Sequence, residues 1–355
     1  MSKYKKQKDG RYRASVRLGY DDNGKPIDKY VSGRTIKEVE EKIMDIKQSV
    51  ASGLVLNDKT AFGKYADNWL KVYKANRGIA TVNMYRNIVD KHFSLINSCT
   101  IREVNRMMIQ QMVNSESDHP RICEQMVMVL KQIFNSCIKD GLIVKSPCID
   151  IELPRHHSKE KRALTKEEKE KLRCTILTPM ERAFLMTLYG TGCRPSEMYA
   201  LTKKDIDVKN SCIIINKSVQ FDGGSPVSIS LPKTESSIRN IIVSQSLIKQ
   251  LVKYSQSLPY DNLFGDQEHE GQILHKYNYE AIFARILRKA HLSDAGITMY
   301  TLRHNYCTEC YYRGVSLKEC QRQMGHSSYR MILEIYSHLD AEKEGTADKL
   351  ADMVL

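Results

Sequence analysis

A long stretch in which apolar side chains recur at helical spacing constrains the fold of this chain most. The pattern runs from Thr60 to Ile151 without the alternation that is typical of strands. It closes with Gly141 and then Ser146-Pro147, where glycine favours a helix end and proline restricts the residue before it. Four amphipathic segments lie within these limits, and Thr100-Ile-Arg-Glu103 has the capping sequence that opens the third. The sequence therefore predicts a helical bundle over residues 60–152.

The segment before the bundle has the pattern of a small sheet backed by a helix. Residues 11–34 alternate like strands around the turn sequence Asp21-Asp-Asn-Gly24. Thr35-Ile-Lys-Glu38 is a capping box that opens a helix running to about Ala51. We expect a three-stranded sheet and this helix to form a domain over residues 1–55.

The chain after the bundle contains segments with helical spacing and segments that alternate like strands. Leu153 to Arg162 is polar, basic and without periodicity, which is typical of a linker, here residues 153–163. Thr165 and Thr178 each cap a helix, the second of which runs to Tyr189. Further helices are predicted near Gln245, from Tyr277 to Ala290 and from Ser316 to Met324. Three β segments are predicted at Ser211 to Ile215, Val227 to Leu231 and Ile238 to Val243, and Asp222 to Gly224 is predicted as the turn between the first two of these segments. This predicts a domain over residues 164–340 and a tail over 341–355. The fold class is multidomain, mainly α with small β-sheets.

The charge of the chain points to a polyanionic partner. The net charge is +13 and the pI is near 9.1. Residues 1–34 carry ten Lys and Arg against four Asp, a net +6. A basic sheet of this kind can lie in a DNA groove, although a purely structural sheet and bundle are the alternatives. The candidate DNA-binding residues are Arg11, Arg13, Arg17 and Lys29 on the sheet and Lys71, Lys74, Arg77 and Arg86 on the bundle.

Several classes of protein do not fit the sequence. It contains neither an apolar run of membrane-spanning length nor an apolar leader at its N-terminus, so we expect a cytoplasmic protein without membrane contact. The ten cysteines have no disulfide-like spacing, and Cys307-Thr-Glu-Cys310 lacks a second pair at zinc spacing. No carboxylate cluster suits Mg²⁺. We therefore expect no metal and no cofactor.

The candidate chemistry lies in the last domain. Gly325-His326-Ser327 is typical of one helix ending and the next beginning, and Ile332, Ile335 and Leu339 recur at helical spacing. Tyr336 then lies beside the apolar stripe of a short helix, where its phenol can face a pocket. Arg303 precedes this region, and its neighbour His304 is interpreted as a structural histidine.

Two further cations lie upstream. Two glycines, Gly190 and Gly192, form a turn, and Pro195 is placed as the first helical residue after Arg194. Arg194 would then lie at a helix N-terminus suited to an anion, but no Lys-Ser or Lys-Thr follows to make a nucleotide phosphate loop. Lys233 lies in the turn Pro232 to Ser237, where it is either a solubilising residue or one that closes over an anion.

Four separated motifs agree with one family. They are Gly190-Thr-Gly-Cys-Arg194-Pro-Ser-Glu197, Pro232-Lys233-Thr-Glu-Ser-Ser-Ile-Arg239, Leu302-Arg303-His304 and Met324-Gly325-His326 with Tyr336-Ser-His338. In order and spacing they resemble the tyrosine recombinases of the phage integrase type. The sheet and the bundle are similar to the arm-binding domain and the SAM-like core-binding domain of integrases from phages and conjugative transposons, so the resemblance covers nearly the whole chain.

The resemblance implies a site-specific recombinase that integrates and excises a mobile element. Tyr336 is then the nucleophile that forms a 3′-phosphotyrosyl link, Arg194 and Arg303 hold the phosphate oxygens, Lys233 protonates the leaving 5′-oxygen, and His326 donates to the phosphate. The chemistry agrees with this, because guanidinium groups stabilise the charge that gathers on a transferring phosphate. One departure stands out: Tyr300 occupies the position where the family commonly has histidine, and a phenol does not accept a proton near neutral pH.

The expected partners follow from the same resemblance. They are double-stranded DNA at core and arm attachment sites, further copies of the chain in a tetramer on DNA, an excisionase and a host DNA-bending protein. The tail from Glu342 is expected to dock on a neighbouring protomer. Two alternatives remain open, a type IB topoisomerase that relaxes DNA of any sequence and a DNA-binding regulator that has lost catalysis.

Overall fold

A computed structural model of the chain describes residues 4, 6–20, 26–51, 59–155, 162–230, 238–325 and 332–333. The chain divides into two compact units, residues 1–158 and 159–355. Within the described ranges, no helix has both the length and the apolar character needed to cross a membrane. The architecture is mainly helical with small antiparallel sheets, as the sequence predicts.

The first unit begins with a two-stranded sheet packed on a helix. Strand β1 (Tyr12–Tyr20) pairs antiparallel with β2 (Pro26–Gly33), and helix α1 (Ile36–Ala51) follows. A small apolar core joins them through Val16, Val31, Val39 and Ile46. Among the described residues this sheet has two strands, where the sequence predicts three. A tight turn reverses the chain between Gln7 and Arg11, and Lys6 forms an isolated antiparallel β-bridge with Tyr12.

Four helices form the bundle of the first unit. They are α2 (Phe62–Tyr73), α3 (Ile79–His92), α4 (Arg106–Ser115) and α5 (Pro120–Lys139). The fully buried ring of Phe62 lies 5.8 Å from that of Phe93 and 5.5 Å from that of Phe134 at the centre of the core. The prediction that Thr100 caps the third helix is wrong. Its N–H does donate to Glu103, but this bond closes a turn, and α4 begins later under the side chain of Asn105.

The second unit contains the remaining elements. Its helices are α6 (Lys166–Cys174), α7 (Pro179–Thr191), α8 (Pro195–Met198), α9 (Gln245–Gln256), α10 (Lys276–Lys289), α11 (Met299–Tyr312) and α12 (Leu317–Met324). Its strands are β3 (Ile206–Asp207), β4 (Cys212–Ile215), β5 (Ser218–Asp222), β6 (Ser225–Ser230) and β7 (Arg239–Ile242). One antiparallel sheet has the order β3-β4-β7, and β5 pairs with β6 in a hairpin. The predicted capping boxes at Thr165 and Thr178 are both confirmed.

The sequence did not predict strand β5. The turn at Gly223 and Gly224 joins β5 to β6, not β4 to the next strand, and both glycines have positive φ angles of 55° and 94°. Strand β5 buries only Val219, so it lacks the alternation of apolar residues by which a half-buried strand is recognised.

Two apolar clusters fix the helices around the candidate site. The main core of the second unit includes the rings of Tyr199 and Tyr279, which stack with centroids 3.8 Å apart. A satellite core of Cys307, Cys310, Cys320, Met324 and Ile332 joins α11 to α12. Both thiols of the Cys307–Cys310 motif are therefore packed in an apolar interior, as predicted.

Candidate active site

The loop between α7 and α8 positions Arg194. Gly192 ends α7 with a φ angle of 58°, and a Cβ atom there would lie 2.6 Å from the ring of Tyr306 on α11. Only glycine allows the loop to approach that helix so closely. Pro195 then begins α8, and the Arg194 backbone N–H donates to Oε2 of Glu197 at 2.8 Å. The side chain of Arg194 also donates from Nη1 to Oε1 of the same carboxylate at 2.7 Å, and it stays 32% exposed.

Arg303 approaches the same place from α11. It is only 6% exposed, and its Nη1 donates to the carbonyl of Gly192 at 2.6 Å. Its Nη2 donates to the carbonyl of Met324 at 2.7 Å. Burial and the neighbouring charge of Arg194 lower the pKa of Arg303 to about 10, so the group is still a cation at neutral pH.

The end of α12 is the point on which both cations converge. Gly325 ends this helix with a φ angle of 62°. Arg194 donates from Nη2 to the carbonyl of Gly325 at 3.0 Å, next to the Met324 carbonyl that Arg303 holds. The structure thus brings together two predicted site residues that are separated by more than a hundred positions, directly before His326 in the chain.

A third arginine, for which the sequence predicted no role, completes the cluster. Arg239 is buried at the start of β7, and its Nε donates to the carbonyl of Gln323 at 2.7 Å. Its Nη2 and Nη1 donate to the carboxylate of Glu197 at 2.8 and 3.2 Å. The sequence did contain an indication that Arg239 is buried, because residues 239 and 241 fall on the same, buried face of the predicted strand.

The electrostatics of this cluster favour an anion. Within the described residues, the carboxylate of Glu197, which is 3% exposed, accepts from the guanidinium groups of Arg194 and Arg239 and also interacts electrostatically with that of Arg303. Burial raises the pKa of Glu197, but the hydrogen bonds and charges of Arg239 and Arg194 outweigh it and hold that pKa below its ordinary value. The carboxylate is therefore ionised, and the site keeps a net positive charge that can attract a phosphate.

Other predicted residues have different placements. Tyr300 lies in the first turn of α11, one turn before Arg303, and is 62% exposed. His304 is half-buried on the same helix. Lys233, His326 and Tyr336 lie outside the described residues, as do most of the predicted tyrosine-bearing helix and the tail.

Comparison with known proteins gives the family. A model of the phage integrase family matches residues 162–343, just over half of the chain. The chain belongs to the phage integrase family. Its activity is that of a tyrosine-type site-specific recombinase. A tyrosine recombinase XerC-like protein of Caldanaerobacter subterraneus is 25% identical over 97% of this chain and 96% of its own length. The ICEBs1 integrase of Bacillus subtilis is 25% identical over 99% of both chains.

Solved structures share the fold. The Tn1549 transposon integrase, in complex with transposon right end DNA, has a TM-score of 0.70 and 23% identity, covering 82% of this chain and 100% of its own. A lambda integrase dimer bound to a COC′ core site has a TM-score of 0.61 and 16% identity, covering 96% of each chain.

The recombinase presents two of its predicted DNA-binding arginines on one face of the N-terminal sheet. Arg13 and Arg17 lie on the same side of β1, away from buried Val16, and Arg17 faces Asp28 across the sheet at 3.1 Å. Arg13 donates to Asp9 at 2.8 Å, and Arg11 is exposed nearby. Lys29 pairs with Val16 and so belongs to the opposite, helix-covered face.

The candidates on the bundle of the recombinase also differ among themselves. Lys71, Arg77 and Arg86 are exposed. Lys74 is half-buried, with its ammonium 4.4 Å from the ring centroid of Trp69 and 2.8 Å from Oε1 of Gln132. Its charge is thus already engaged within the bundle.

Proposed function

We propose that this recombinase is the integrase of a mobile element, and that it cuts and rejoins DNA through Tyr336. The observation that carries the proposal is the convergence of Arg194 and Arg303 on the adjacent carbonyls of Gly325 and Met324, directly before His326 in the chain. Two guanidinium groups held this close together are suited to bind the two non-bridging oxygens of one phosphodiester.

Each residue has a defined part in the proposed reaction. The phenolic oxygen of Tyr336 gives up its proton to water and attacks the phosphorus, the bond from phosphorus to the 5′-oxygen breaks, and a 3′-phosphotyrosyl link forms. Lys233 gives its proton to the leaving 5′-oxygen, so that a 5′-hydroxyl is released. Arg194 and Arg303 stabilise the charge on the phosphate during transfer, and His326 donates a hydrogen bond to it.

The proposed chemistry conserves bond energy. A phosphotyrosyl ester replaces a phosphodiester, so a 5′-hydroxyl from a second DNA strand can reverse the step and join the two strands. Strand exchange by this route consumes no nucleotide. We propose no metal or cofactor for it.

The partners are proposed from the charge of the chain and from its relatives. The Tn1549 integrase and the lambda integrase bind DNA, and a lambda integrase tetramer binds a Holliday junction. We infer that this chain also assembles as a tetramer on core sites, with residues 60–152 and 164–340 binding core DNA and residues 1–55 binding arm sites. An excisionase and a host DNA-bending protein are the proposed accessory partners. Because its substrate is DNA, the cytoplasm is the proposed location.

A suicide substrate tests the catalytic assignment. A duplex carrying the joined ends of the parent element, nicked so that the cleaved fragment diffuses away, should trap the wild-type chain covalently on DNA. Tyr336→Phe should bind this duplex but form no covalent complex. Tyr312→Phe is the matched control, since that tyrosine is 59% exposed at the end of α11, and it should react like the wild type. A covalent complex formed by Tyr336→Phe would contradict the assignment.

A second assay separates integration from simple relaxation. An integrase should exchange strands between two cognate sites and leave supercoiled plasmid without those sites unchanged. Relaxation of any plasmid at the same rate would instead favour a topoisomerase.

The tetramer is tested by truncation before Glu342. If the tail docks on a neighbouring protomer, the shortened chain should bind a single core site normally and fail to bring two sites together in a native gel. Normal synapsis and cleavage by the shortened chain would contradict docking of the tail.

A further inference from the structure

Arg239 joins three elements of the active site through one buried guanidinium group. It extends from β7, donates two hydrogen bonds to Glu197 on α8, and donates a third to the backbone of Gln323 near the end of α12. Each of its three nitrogen atoms thus donates to a protein oxygen. With all three nitrogen atoms directed at protein oxygens, Arg239 is suited to hold protein groups in place.

The contacts of Arg239 form one arrangement with those of the two proposed phosphate-binding arginines. Arg239, Arg303 and Arg194 donate to the carbonyls of Gln323, Met324 and Gly325, three successive residues. These carbonyls belong to the last turn of α12 and its cap, where the ladder of hydrogen bonds within a helix runs out. The three arginines therefore fix the point at which the chain leaves α12 toward His326.

Two more contacts tie α12 to the sheet. The N–H of Ile242 on β7 donates to Oε1 of Gln323 at 2.9 Å, and Nε2 of Gln323 donates to Glu319 at 2.6 Å. Among the strands that the structure describes, β7 is at the edge of its sheet, so the side chain of Gln323 satisfies a strand N–H on that open edge. Helix α12 is thus attached to β7 at a backbone carbonyl and at a side chain.

Glu197 connects Arg239 to Arg194, which is proposed to bind the DNA phosphate. Its carboxylate accepts from the side chains of both Arg194 and Arg239. With Arg239 present, one negative charge is shared between two cations, and Arg194 keeps positive charge for a phosphate. Without Arg239, a buried carboxylate would be left to Arg194 alone and would bind it more strongly.

We propose that Arg239 is a positioning residue for recombination, which orients Arg194 through Glu197 and holds the end of α12 in place. The proposal rests on the proposed function, because it requires Arg194 to act on DNA phosphate. Arg239 itself does not touch the DNA.

The test compares two variants and one control on the suicide duplex described above. Arg239→Gln removes the charge, and Glu197→Gln combined with Arg239→Met removes the pair without leaving a buried charge unpaired. Arg285→Gln is the matched control, since Arg285 pairs at 2.6 Å with another buried carboxylate, Glu181, on helices outside the cluster. All are measured for DNA affinity by gel shift, for folding by thermal melting, and for single-turnover cleavage.

We expect both Arg239 variants to bind the duplex with affinities within about twofold of the wild type, because the group does not contact DNA. Cleavage should fall by about 10- to 100-fold, as expected for groups displaced by a fraction of an ångström to one ångström. The control should melt at a lower temperature and cleave normally.

The pH profile distinguishes positioning from a merely structural role. In Arg239→Gln, burial still raises the pKa of Glu197 while the first of the groups that oppose burial is gone, so that pKa should be higher than in the wild type and the carboxylate should take up a proton more readily as the pH falls. Protonated Glu197 no longer orients Arg194, so the cleavage rate of the variant should fall further below that of the wild type as the pH is lowered. The double variant has no carboxylate at 197, so its deficit should not change with pH.

The other groups that face Glu197 do not interfere with this profile. Arg194 and Arg303 are both guanidinium groups, and Arg303 stays cationic between pH 6 and 8 because its pKa is lowered only to about 10. Burial raises the pKa of the adjacent Cys193 to about 11, so that thiol stays protonated over the same range.

The outcomes separate the two proposals. If the wild-type chain forms no covalent complex, the proposed function fails. If the wild type cleaves and a folded Arg239 variant cleaves within twofold of it, or if the deficit of Arg239→Gln does not grow as the pH is lowered over the range in which the variant stays folded, the positioning role is overturned. Should Arg239→Gln not fold, the double variant decides by its cleavage rate alone.

Discussion

Arg194, Arg239 and Arg303 show how one side-chain type takes different roles through its burial and the partners that the fold supplies. Arg194 is one-third exposed and Arg303 is almost fully enclosed, yet both reach the last carbonyls before His326. Arg239 is equally enclosed and directs all three nitrogens at protein oxygens. Guanidinium groups suit this arrangement because a planar fork can hold a carbonyl and a carboxylate in fixed directions at once, which a lysine cannot do.

Tyr300 is the residue at which the chain departs from the common pattern of its family, and its exposed phenol can donate a hydrogen bond. We expect Tyr300→Phe to slow single-turnover cleavage by roughly tenfold, about the cost of one hydrogen bond to a charged group, without abolishing it. Thermal melting should stay unchanged, since the ring is retained. Tyr277→Phe, at a tyrosine of similar exposure on α10, serves as the control. Unchanged cleavage by Tyr300→Phe would remove the role.

At the scale of elements, the end of α12 depends on backbone geometry as much as on side chains. Gly325 adopts a left-handed conformation, and a Cβ atom there would lie 2.9 to 3.1 Å from the guanidinium and Cδ of Arg239. The helix end and the arginine are therefore packed against each other with no room for a methyl group. Any residue but glycine must both strain the backbone and displace Arg239.

Gly325→Ala tests this packing. We expect the free energy of unfolding to fall by about 1–3 kcal/mol from backbone strain and displaced side chains together, and cleavage to slow as Arg239 moves. Gly314→Ala is the matched control, because Gly314 has a similar φ of 72° and, among the described residues, nothing lies within 4 Å of its Cβ position. It should lower the free energy of unfolding by about 1 kcal/mol from strain and cleave normally. Equal effects of the two substitutions on cleavage would show that the packing against Arg239 is unimportant.

Helix α2 gives a second prediction at this scale. Lys74 follows it and stacks on Trp69 while donating to Gln132, so Lys74→Ala should destabilise the bundle by about 0.5–2 kcal/mol. Lys71→Ala, at an exposed position on the same helix, should change stability by less than about 0.5 kcal/mol and weaken DNA binding. Denaturant unfolding and gel shifts at fixed salt measure both. If Lys74→Ala kept wild-type stability but bound DNA weakly, Lys74 would be a DNA-binding residue and not a structural one.

For the molecule as a whole, the net charge of +13 is unevenly distributed, and nearly half of it lies in residues 1–34. In the N-terminal sheet, Arg13 and Arg17 share the face that is free of α1. Such a face can bind a DNA groove through its phosphates and its base edges, whereas the opposite face is occupied by the core.

Deletion of residues 1–55 should remove binding to arm-type DNA and leave covalent cleavage of a core duplex. The plot of log affinity against log salt should become shallower by about 0.9 for each DNA phosphate that the shortened chain no longer neutralises. Within the intact chain, the Arg13→Ala and Arg17→Ala double variant should weaken arm binding more than Lys29→Ala, which changes a residue on the helix-covered face. A larger effect of Lys29→Ala would place the DNA on the other side of the sheet.

The sequence by itself determined the elements of this protein and the identity of its candidate catalytic residues. Helix starts at Thr35, Thr165 and Thr178 follow from capping chemistry that acts within four residues, so local pattern was sufficient. The resemblance to tyrosine recombinases rested on motifs in fixed order, and the family is confirmed. Strand β5 and the false cap at Thr100 were misjudged because neither is decided by local pattern.

Only the tertiary structure decided what the charged residues do. Local pattern predicted no role for Arg239 and grouped Lys74 with the DNA-binding residues, whereas the fold enclosed the first beside Glu197 and stacked the second on Trp69. A buried charge must find a partner, and that partner is supplied by elements distant in the chain. The spacing of residues along a sequence cannot specify such pairs, because they exist only once α8, β7, α11 and α12 are packed together.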